Sequence, residues 1–319
     1  MSSPQILILG AAGYIGGEPL PPNVTDHRNR PRGPAQSLLA GLGVNTVIGS
    51  VDDTALLSSL VSKADVVFNF AVPFFGGDAA MQTIVNALEE RAKTSAVKPV
   101  FLQTSGSGSI MYGSDGVAGE DVWKDTDYER WESLPDSAFF HSGDKILAAA
   151  AERGIISAYI VMSPTVYGPG LGPELSLQMP AYVRYAKRTG QAAYIGKGQN
   201  IWGNVHVSDL SALYLILMNH ALTAPGSTVA TPGSHGWSNL IYAGLGQHTW
   251  KPIVSLIGDQ LAARGDIPHT GAVSIPEGSG DMYMFGGNSF MAVSEKAKAL
   301  GWRQVQPDLE EAVKLALPK

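Results

Sequence analysis

The sequence predicts an α/β protein built on a doubly wound parallel sheet, with a smaller and irregular lobe in its C-terminal half. Short apolar runs alternate with helical patterns, a glycine-rich loop follows the first apolar run, and glycine and proline become frequent after about Pro164. Strand–helix alternation favours parallel strands joined by crossover helices. We therefore expect one domain over residues 1–165 and a lobe over residues 166–319 that partly interleaves with it.

The first half carries short apolar runs of the kind that forms buried strands. Parallel strands covered on both faces are continuously apolar rather than alternating. The predicted strands are QILIL (5–9), NTVI (45–48), DVVFNF (65–70), PVFLQ (99–103) and SAYIVM (157–162).

Helical patterns lie between these runs, over residues 54–62, 78–93 and 145–153. In the second, apolar residues recur at the i, i+3, i+4, i+7 spacing of one helix face. Gly154 is placed to end the third. The C-terminal half adds amphipathic helices over 209–222, 250–265 and 307–317, separated by loops.

Composition excludes several classes of protein. Hydrophobic residues make up 45% and charged residues 16% of the chain, as in a globular protein with a sizeable core. The net charge of −6 disfavours binding to nucleic acid or to anionic membranes. With no cysteine, the chain has no disulfide, thiolate metal site or cysteine nucleophile. The histidines are scattered without the spacing of a metal site, so we expect no metal. No stretch resembles a signal peptide or an apolar run of membrane-spanning length, so we expect a cytoplasmic protein.

Gly10, Gly13 and Gly16 follow the first predicted strand directly. A glycine at this point lets the chain turn tightly, a second lets the backbone approach a pyrophosphate, and a third lets the next element pack closely. The context of strand, glycine loop and further β/α alternation predicts a Rossmann-type, dinucleotide-binding fold.

The segment after the glycine loop departs from this pattern. Pro19, Pro21 and Pro22 forbid a regular helix interior, so the first crossover, over residues 17–40, is expected to be shortened, with NVT (23–25) as the remnant of a second strand. Arg28 and Arg30 follow, with Arg32 beyond them. Arginine suits the 2′-phosphate of NADP, so NADP is favoured and NAD stays possible. The alternative is a solvated basic loop.

Several motifs together carry a family resemblance: the glycine loop, ADVVFNFAVP, LQTSGSG, SPTVYGPG, NVHVSDL and KAKALGW. With these motifs the chain resembles the short-chain dehydrogenase/reductase superfamily, in its extended or atypical branch of NAD-dependent epimerase/dehydratase-like and NmrA-like proteins. The resemblance covers nearly the whole chain except residues 17–40, and it is more specific for fold than for reaction.

The resemblance implies a role for particular positions. The pyrophosphate would lie against the glycine loop, the adenine near Asp52 and its ribose near Ala71; a strand-end hydroxyl would face the substrate, and the segment 164–167 would pass the nicotinamide. The implied cofactor-binding residues are Gly10, Gly13, Tyr14, Ile15, Gly16, Arg28, Arg30, Asp52, Ala71, Thr104, Lys145, Pro164 and Val166; the implied catalytic residues are His141, Lys145, Ser105 and Ser107. The segment 206–209 matches part of the substrate-side lobe.

The stretch HSGDK lies where this family keeps a tyrosine four residues before a lysine. Here His141 and Lys145 keep the spacing without the tyrosine, whereas a register shifted by one would pair Phe140 with Asp144 and remove the chemistry. A histidine titrates near neutrality, and a nearby lysine would lower its pKa, leaving a neutral imidazole that can still donate to a carbonyl. The alternative is that Ser142 or Asp144 caps the helix and His141 merely precedes it.

Three hypotheses on function follow. The first is an NAD(P)-dependent oxidoreductase or epimerase acting on a small carbonyl or hydroxyl compound, with His141 as proton donor, Lys145 as ribose clamp and Ser105 or Ser107 orienting the carbonyl. The second is a non-catalytic NADP-binding redox sensor resembling NmrA-like regulators. The third is a degenerate scaffold, or the product of an incorrectly assembled gene, that binds no dinucleotide. We expect a small-molecule substrate and either a monomer or a homodimer.

Overall fold

The computed structural model describes residues 4–17, 24–27, 44–71, 76–170, 176–223 and 235–316. Within these ranges the strands are β1 (Ile6–Leu9), β2 (Val24–His27), β3 (Asn45–Val47), β4 (Val66–Asn69), β5 (Val100–Gly106), β6 (Ser157–Ser163), β7 (Thr165–Tyr167), β8 (Ala192–Ile195), β9 (Ile201–His206), β10 (Leu240–Tyr242), β11 (Gly246–Thr249) and β12 (Ala272–Ile275).

The central sheet has seven strands among the described residues, in the order β10-β6-β5-β4-β1-β2-β3. All neighbouring pairs are parallel, so the predicted doubly wound parallel sheet is confirmed. The chain runs outward from β1 to β3 on one side and returns to β4 on the other. This reversal between β1 and β4 opens a crevice at the carboxyl ends of the strands, where open α/β sheets bind ligands.

Helices cover both faces of this sheet. They are α1 (Thr54–Val61), α2 (Asp78–Ala92), α3 (Tyr128–Glu132), α4 (His141–Arg153), α5 (Gln178–Thr189), α6 (Val207–Thr223), α7 (Trp250–Ala263), α8 (Glu295–Ala299) and α9 (Leu309–Ala316). Asp53 caps α1 by accepting from the backbone N–H of Leu56, and Gly154, at φ 67°, ends α4 as predicted.

Strand alternation divides the core between the two faces. Leu7 and Leu9 of β1 pack with α1, α2 and α4, while Ile6 and Ile8 pack with α6. A third apolar cluster fills the C-terminal lobe around α5, α7 and α9. The two sheet-facing clusters fix the glycine loop and the start of α4 relative to the strand ends.

The two halves of the sequence interleave. Strand β10 pairs with β6 at the edge of the central sheet, and α6 covers one sheet face, although both come from the C-terminal half. Two small sheets, β11-β9-β7 and β12-β8, belong to the lobe. Glycine- and proline-rich sequence around β7 to β9 had predicted loops, and these short strands form because their neighbours supply pairing partners that a local pattern does not show.

Candidate active site

The glycine loop follows β1 as a series of turns over residues 10–17 rather than as a helix. Gly10 has φ +85°, in the left-handed region that favours glycine. The N–H of Gly13 donates to the carbonyl of Gly10 at 2.9 Å, and the N–H of Gly17 donates to that of Gly13 at 2.8 Å. Residues 10–23 connect β1 to β2; the shortened crossover over 17–40 lies mostly outside the described residues and stays a prediction.

Two of the predicted glycines are required by close packing against the end of β4. A Cβ on Gly16 would lie 2.5 Å from the carbonyl oxygen of Gly10 and 2.9 Å from the Phe70 ring. A Cβ on Gly10 would lie 3.0 Å from the backbone nitrogen of Ala71. The structure therefore brings Gly10, Gly16 and Ala71 together at the β1/β4 crevice, with residues 13–15 half-buried at its rim.

Tyr14 reaches from this loop to the loop after β7, where its hydroxyl donates to the carbonyl of Gly168 at 2.6 Å. Ile15 and Val166 contribute to the same apolar cluster on the α6 face, and Pro164, two residues before Val166, is buried. The glycine loop and the predicted nicotinamide-side segment 164–167 are thus parts of one packed unit.

Polar side chains tie the ends of β4 and β5 together at the crevice. The side-chain amide of Asn69 donates to the side-chain oxygen of Gln103 at 2.9 Å, and its own oxygen accepts from the N–H of Ala71 at 3.2 Å. Both side chains are buried. Neither was a predicted site residue, although a polar residue near the end of an apolar strand in DVVFNF and PVFLQ was a usable signal.

The predicted pair at the start of α4 does not converge on the crevice. His141 is buried, and its ring stacks on Trp237 with the centroids 5.4 Å apart. Lys145 extends to the surface, where its Nζ lies 2.8 Å from Oδ1 of Asp136, with the two side chains 45% and 72% exposed. The structure therefore does not bring His141 and Lys145 together with Ser105, as a proton donor and a ribose clamp would require.

The electrostatics of His141 agree with this position. Burial, followed by the charge of Lys145, lowers the pKa of His141, so the ring is neutral near pH 7. Its Nε2 has no hydrogen-bond partner among the described residues. The capping alternative is wrong, because α4 begins at His141 with Phe140 at the N-cap and no side-chain cap; Ser142 instead donates to Asp78 at 2.8 Å.

Phe140 and Asp144, the pair of the register shifted by one, face the strand ends instead. Phe140 has φ +62°, and a Cβ on Gly106 would lie 2.6 Å from its ring. Asp144 is buried, and its Oδ2 lies 2.5 Å from the hydroxyl of Ser105 at the end of β5. Burial raises the pKa of Asp144 to about 8, an effect that the Ser105 hydroxyl opposes. Asp144 is therefore protonated at neutral pH, and its Oδ1 has no partner among the described residues.

A sequence signal for Asp144 existed. Leu147, Ala148 and Ala151 are among the buried positions of α4, and Asp144 precedes Leu147 and Ala148 by three and four residues. It therefore belongs to the core-facing stripe of the helix, whereas Lys145 lies about 100° away around the axis.

The other predicted hydroxyls are engaged within the fold. Thr104 hydrogen-bonds the Tyr214 hydroxyl of α6 at 2.6 Å. The hydroxyl of Ser289 lies 2.6 Å from the carbonyl oxygen and 2.8 Å from the hydroxyl of Ser107. Ser105, Ser107 and Thr104 therefore point to three different neighbours rather than to one reacting group.

The remaining predicted positions are placed as follows. Asp52 is exposed in the turn after β3, hydrogen-bonded to Ser50 at 3.0 Å. In the segment 206–209, the Asp209 carboxylate accepts from the backbone N–H groups of Val305 and Gln306 at 3.2 Å, which ties the lobe to α6. Arg28, Arg30 and Arg32 lie outside the described residues.

Within the described ranges, no group of three or more His, Asp or Glu side chains is placed to hold a metal ion. The helices described there are all too short or too polar to span a bilayer.

The amino-acid sequence matches a known protein family and two known proteins. The model of the NAD dependent epimerase/dehydratase family matches residues 6–229. The oxidase ucsJ of an Acremonium species is 25% identical over 345 residues, which cover 99% of this chain and 97% of the relative. An uncharacterised protein of Schizosaccharomyces pombe is 24% identical over 225 residues, covering 67% of this chain and 70% of that protein.

Solved structures support the fold. The dTDP-glucose 4,6-dehydratase DesIV of Streptomyces venezuelae superposes with a TM-score of 0.66 at 17% identity, covering 97% of this chain and 95% of its own. The UDP-glucose 4-epimerase of Thermotoga maritima gives 0.65 at 17% identity, covering 98% and 97%. The UDP-glucuronic acid 4-epimerase of Bacillus cereus, solved with UDP-glucuronic acid and NAD, gives 0.61 at 16% identity, covering 97% and 96%.

Proposed function

Because the chain belongs to the NAD-dependent epimerase/dehydratase family, we propose that it binds a nicotinamide dinucleotide at the glycine loop and acts as an oxidoreductase on a small carbonyl or hydroxyl compound. The observation that carries this proposal is the close packing of Gly10 and Gly16 against the end of β4 at the β1/β4 crevice. When bound, the dinucleotide supplies the hydride acceptor or donor, while the chain binds and orients the reactants.

The residues present fit the pyrophosphate end of such a cofactor. Gly10 and Gly16 let the loop turn tightly and pack against the end of β4, and Ala71 borders the same crevice. Gly13, between them, adds no side chain where the pyrophosphate would lie. Tyr14 and Ile15 would line the pyrophosphate, while Val166 and Pro164 would lie on the nicotinamide side. Several solved neighbours are described as holding NAD, so NAD is the first dinucleotide to test; the NADP preference rests on Arg28 and Arg30.

The nicotinamide end of the site fits the family pattern less well. Lys145 is paired with Asp136 at the surface, and the buried acid Asp144 stands beside Ser105. We assign Asp144 the role of a positioning residue: its carboxyl, protonated near neutral pH, fixes the Ser105 hydroxyl at the end of β5. His141 packs against Trp237 and takes no part in this arrangement.

A non-catalytic dinucleotide sensor is the second candidate. The divergence of His141 and Lys145 from the crevice favours it, because proton transfer to a substrate requires a donor within hydrogen-bond reach. A cytoplasmic location and a homodimer remain predictions in either case.

Calorimetric titration with NADH and, separately, NADPH tests the cofactor site. We expect micromolar binding of at least one dinucleotide. Gly16→Ala should lower the affinity for that dinucleotide at least about tenfold, because the new methyl group would lie 2.5 Å from the carbonyl oxygen of Gly10. The matched control is Gly258→Ala in α7, whose methyl group would clash with the carbonyl of Gly271 at 2.0 Å, away from the glycine loop. It should destabilise the fold without changing dinucleotide affinity. A folded wild-type protein that binds neither dinucleotide would refute the proposal and favour the degenerate scaffold.

Turnover separates the enzyme from the sensor. The reduced dinucleotide that binds should be oxidised in the presence of some member of a panel of aldehydes and ketones if the chain is an oxidoreductase. Tight binding without oxidation across the panel would favour the sensor.

A further inference from the structure

A cavity of about 500 Å³ lies in the C-terminal lobe, between the loop after β7, helices α5 and α7, and the last helix, α9. Its volume falls within the range of roughly 300–1,000 Å³ that is typical of small-molecule sites. The apolar side chains that define it are Met179, Val183, Ile257, Leu309, Ala312 and Val313.

Two tyrosines add ring surface to this cavity without adding free donors. The Tyr14 hydroxyl donates to the carbonyl of Gly168 at 2.6 Å, and the Tyr167 hydroxyl donates to the carbonyl of Pro307 at 2.9 Å. Both protons are therefore used inside the protein, and the rings contribute mainly apolar wall. A sugar bound here would bury hydroxyl groups against carbon, which is costly without hydrogen-bond partners.

Among the described residues of the lining, Arg184 is the one charged side chain. Its Nε lies 4.0 Å from Oδ2 of Asp281, whereas Arg188 approaches Oδ1 of the same carboxylate at 2.6 Å. Because Arg188 makes the short contact, the guanidinium of Arg184 retains donors for another anion. A guanidinium is well suited to a carboxylate, which it can bind with two parallel hydrogen bonds.

We infer that this cavity binds a small apolar molecule that carries one carboxylate, with its carbon body against α5, α7 and α9 and its carboxylate at Arg184. This cavity borders the proposed cofactor site at Tyr14, whose ring contributes to its wall, but binding there requires no dinucleotide. Burial of carbon surface supplies most of the affinity, and Arg184 selects for the anionic end.

Calorimetric titration with decanoate, below its micellar concentration, and with decanol as the uncharged counterpart tests this site. Decanoate should bind the wild-type protein. Arg184→Gln should weaken decanoate binding about three- to fivefold, the range expected for a partly exposed ion pair, and leave decanol binding unchanged. Lys187→Gln is the matched control, since it removes one positive charge from the same helix but pairs with Asp266 outside the lining; it should change neither ligand.

Filling the cavity gives a second and independent test. Ala312→Trp places a large ring into the wall formed by α9 and should abolish binding of both ligands while dinucleotide binding persists. If that variant does not fold, Arg184→Gln decides alone, because Arg184 is 59% exposed and its replacement leaves the core intact. Failure of decanoate to bind at millimolar concentration, or equal binding by wild type and Arg184→Gln, would overturn the inference.

Discussion

The two ends of the candidate cofactor site differ in how closely they follow the family pattern. At the glycine loop, Gly10 and Gly16 pack against β4 so tightly that a single methyl group would collide with backbone. At the start of α4, His141 and Lys145 keep their spacing in sequence but point to an aromatic cluster and to solvent. Spacing alone preserves a motif in the sequence, whereas the rotation of the helix decides which residues reach the strand ends.

The largest expected effect concerns Asp144. In the folded protein the Asp144 carboxyl has its pKa raised to about 8, whereas an aspartate in the unfolded chain has a pKa of about 3.9. The folded state therefore binds more protons between these values, and this contribution to the free energy of unfolding is lost as pH rises, at up to about 1.4 kcal/mol per pH unit. Asp144→Asn should remove this dependence. The gain in its free energy of unfolding over the wild type should therefore be several kcal/mol larger at pH 8 than at pH 5.

Urea denaturation at pH 5 and pH 8 measures this difference. The control is Asp52→Asn, which changes an exposed aspartate in the turn after β3 and should leave the pH dependence as in the wild type. Parallel pH profiles of wild type and Asp144→Asn would contradict a protonated, buried Asp144.

The next largest effect is a loss of stability on substitution of Gly10 in the glycine loop. Gly10→Ala forces a methyl group onto a residue at φ +85° and within 3.0 Å of the backbone of Ala71. Left-handed backbone costs about 1–2 kcal/mol for a residue with Cβ, and the contact adds to it, so we expect a loss of about 2–4 kcal/mol in the free energy of unfolding. Gly265→Ala isolates the first term, because that glycine has φ +74° and a Cβ there would meet no described atom within 4 Å. Equal losses in the two variants, measured by thermal denaturation, would show that the loop is not closely packed.

A smaller effect is expected at His141. His141→Phe keeps a ring against Trp237 and removes Nε2, which lacks a partner among the described residues. It also removes the hydrogen bond between the ring and the backbone of Leu134. The two changes oppose each other, so stability should change by less than about 1.5 kcal/mol. If the chain turns over a substrate, the rate should stay within a factor of two. A drop of tenfold or more in steady-state turnover, with stability unchanged, would restore His141 as the proton donor.

The sequence was sufficient for the central sheet apart from its edge strand β10, because buried parallel strands such as β1, β4, β5 and β6 form continuous apolar runs. It was also sufficient for α6, α7 and α9, whose stripes are strongly amphipathic. It was not sufficient for β7 to β12, since short strands in glycine-rich sequence depend on distant pairing partners. The start of α4 was placed at Lys145, four residues late, because HSGDK matches a family motif and lacks the apolar stripe that defines the rest of the helix.

The candidate site was predicted in the same uneven way. Gly10, Gly16 and Ala71 come together because each is fixed by a strand of the central sheet. The directions of His141, Lys145 and Asp144 depend on the angle at which α4 begins after the left-handed Phe140, and a motif match contains no information about that angle. The neighbours of Ser105 and Ser107, Asp144 and Ser289, lie 39 and 182 residues away in the chain, beyond the reach of local patterns.

The most direct test of the account compares the dinucleotide affinity of Lys145→Ala with that of the wild-type protein by calorimetric titration with NADH and NADPH. The geometry predicts equal affinities within a factor of two, because Lys145 pairs with Asp136 at the surface and the proposed cofactor site lies at the glycine loop. A loss of tenfold or more in Lys145→Ala, with unchanged stability, would contradict the account and show that Lys145 clamps the cofactor as the sequence motif implies.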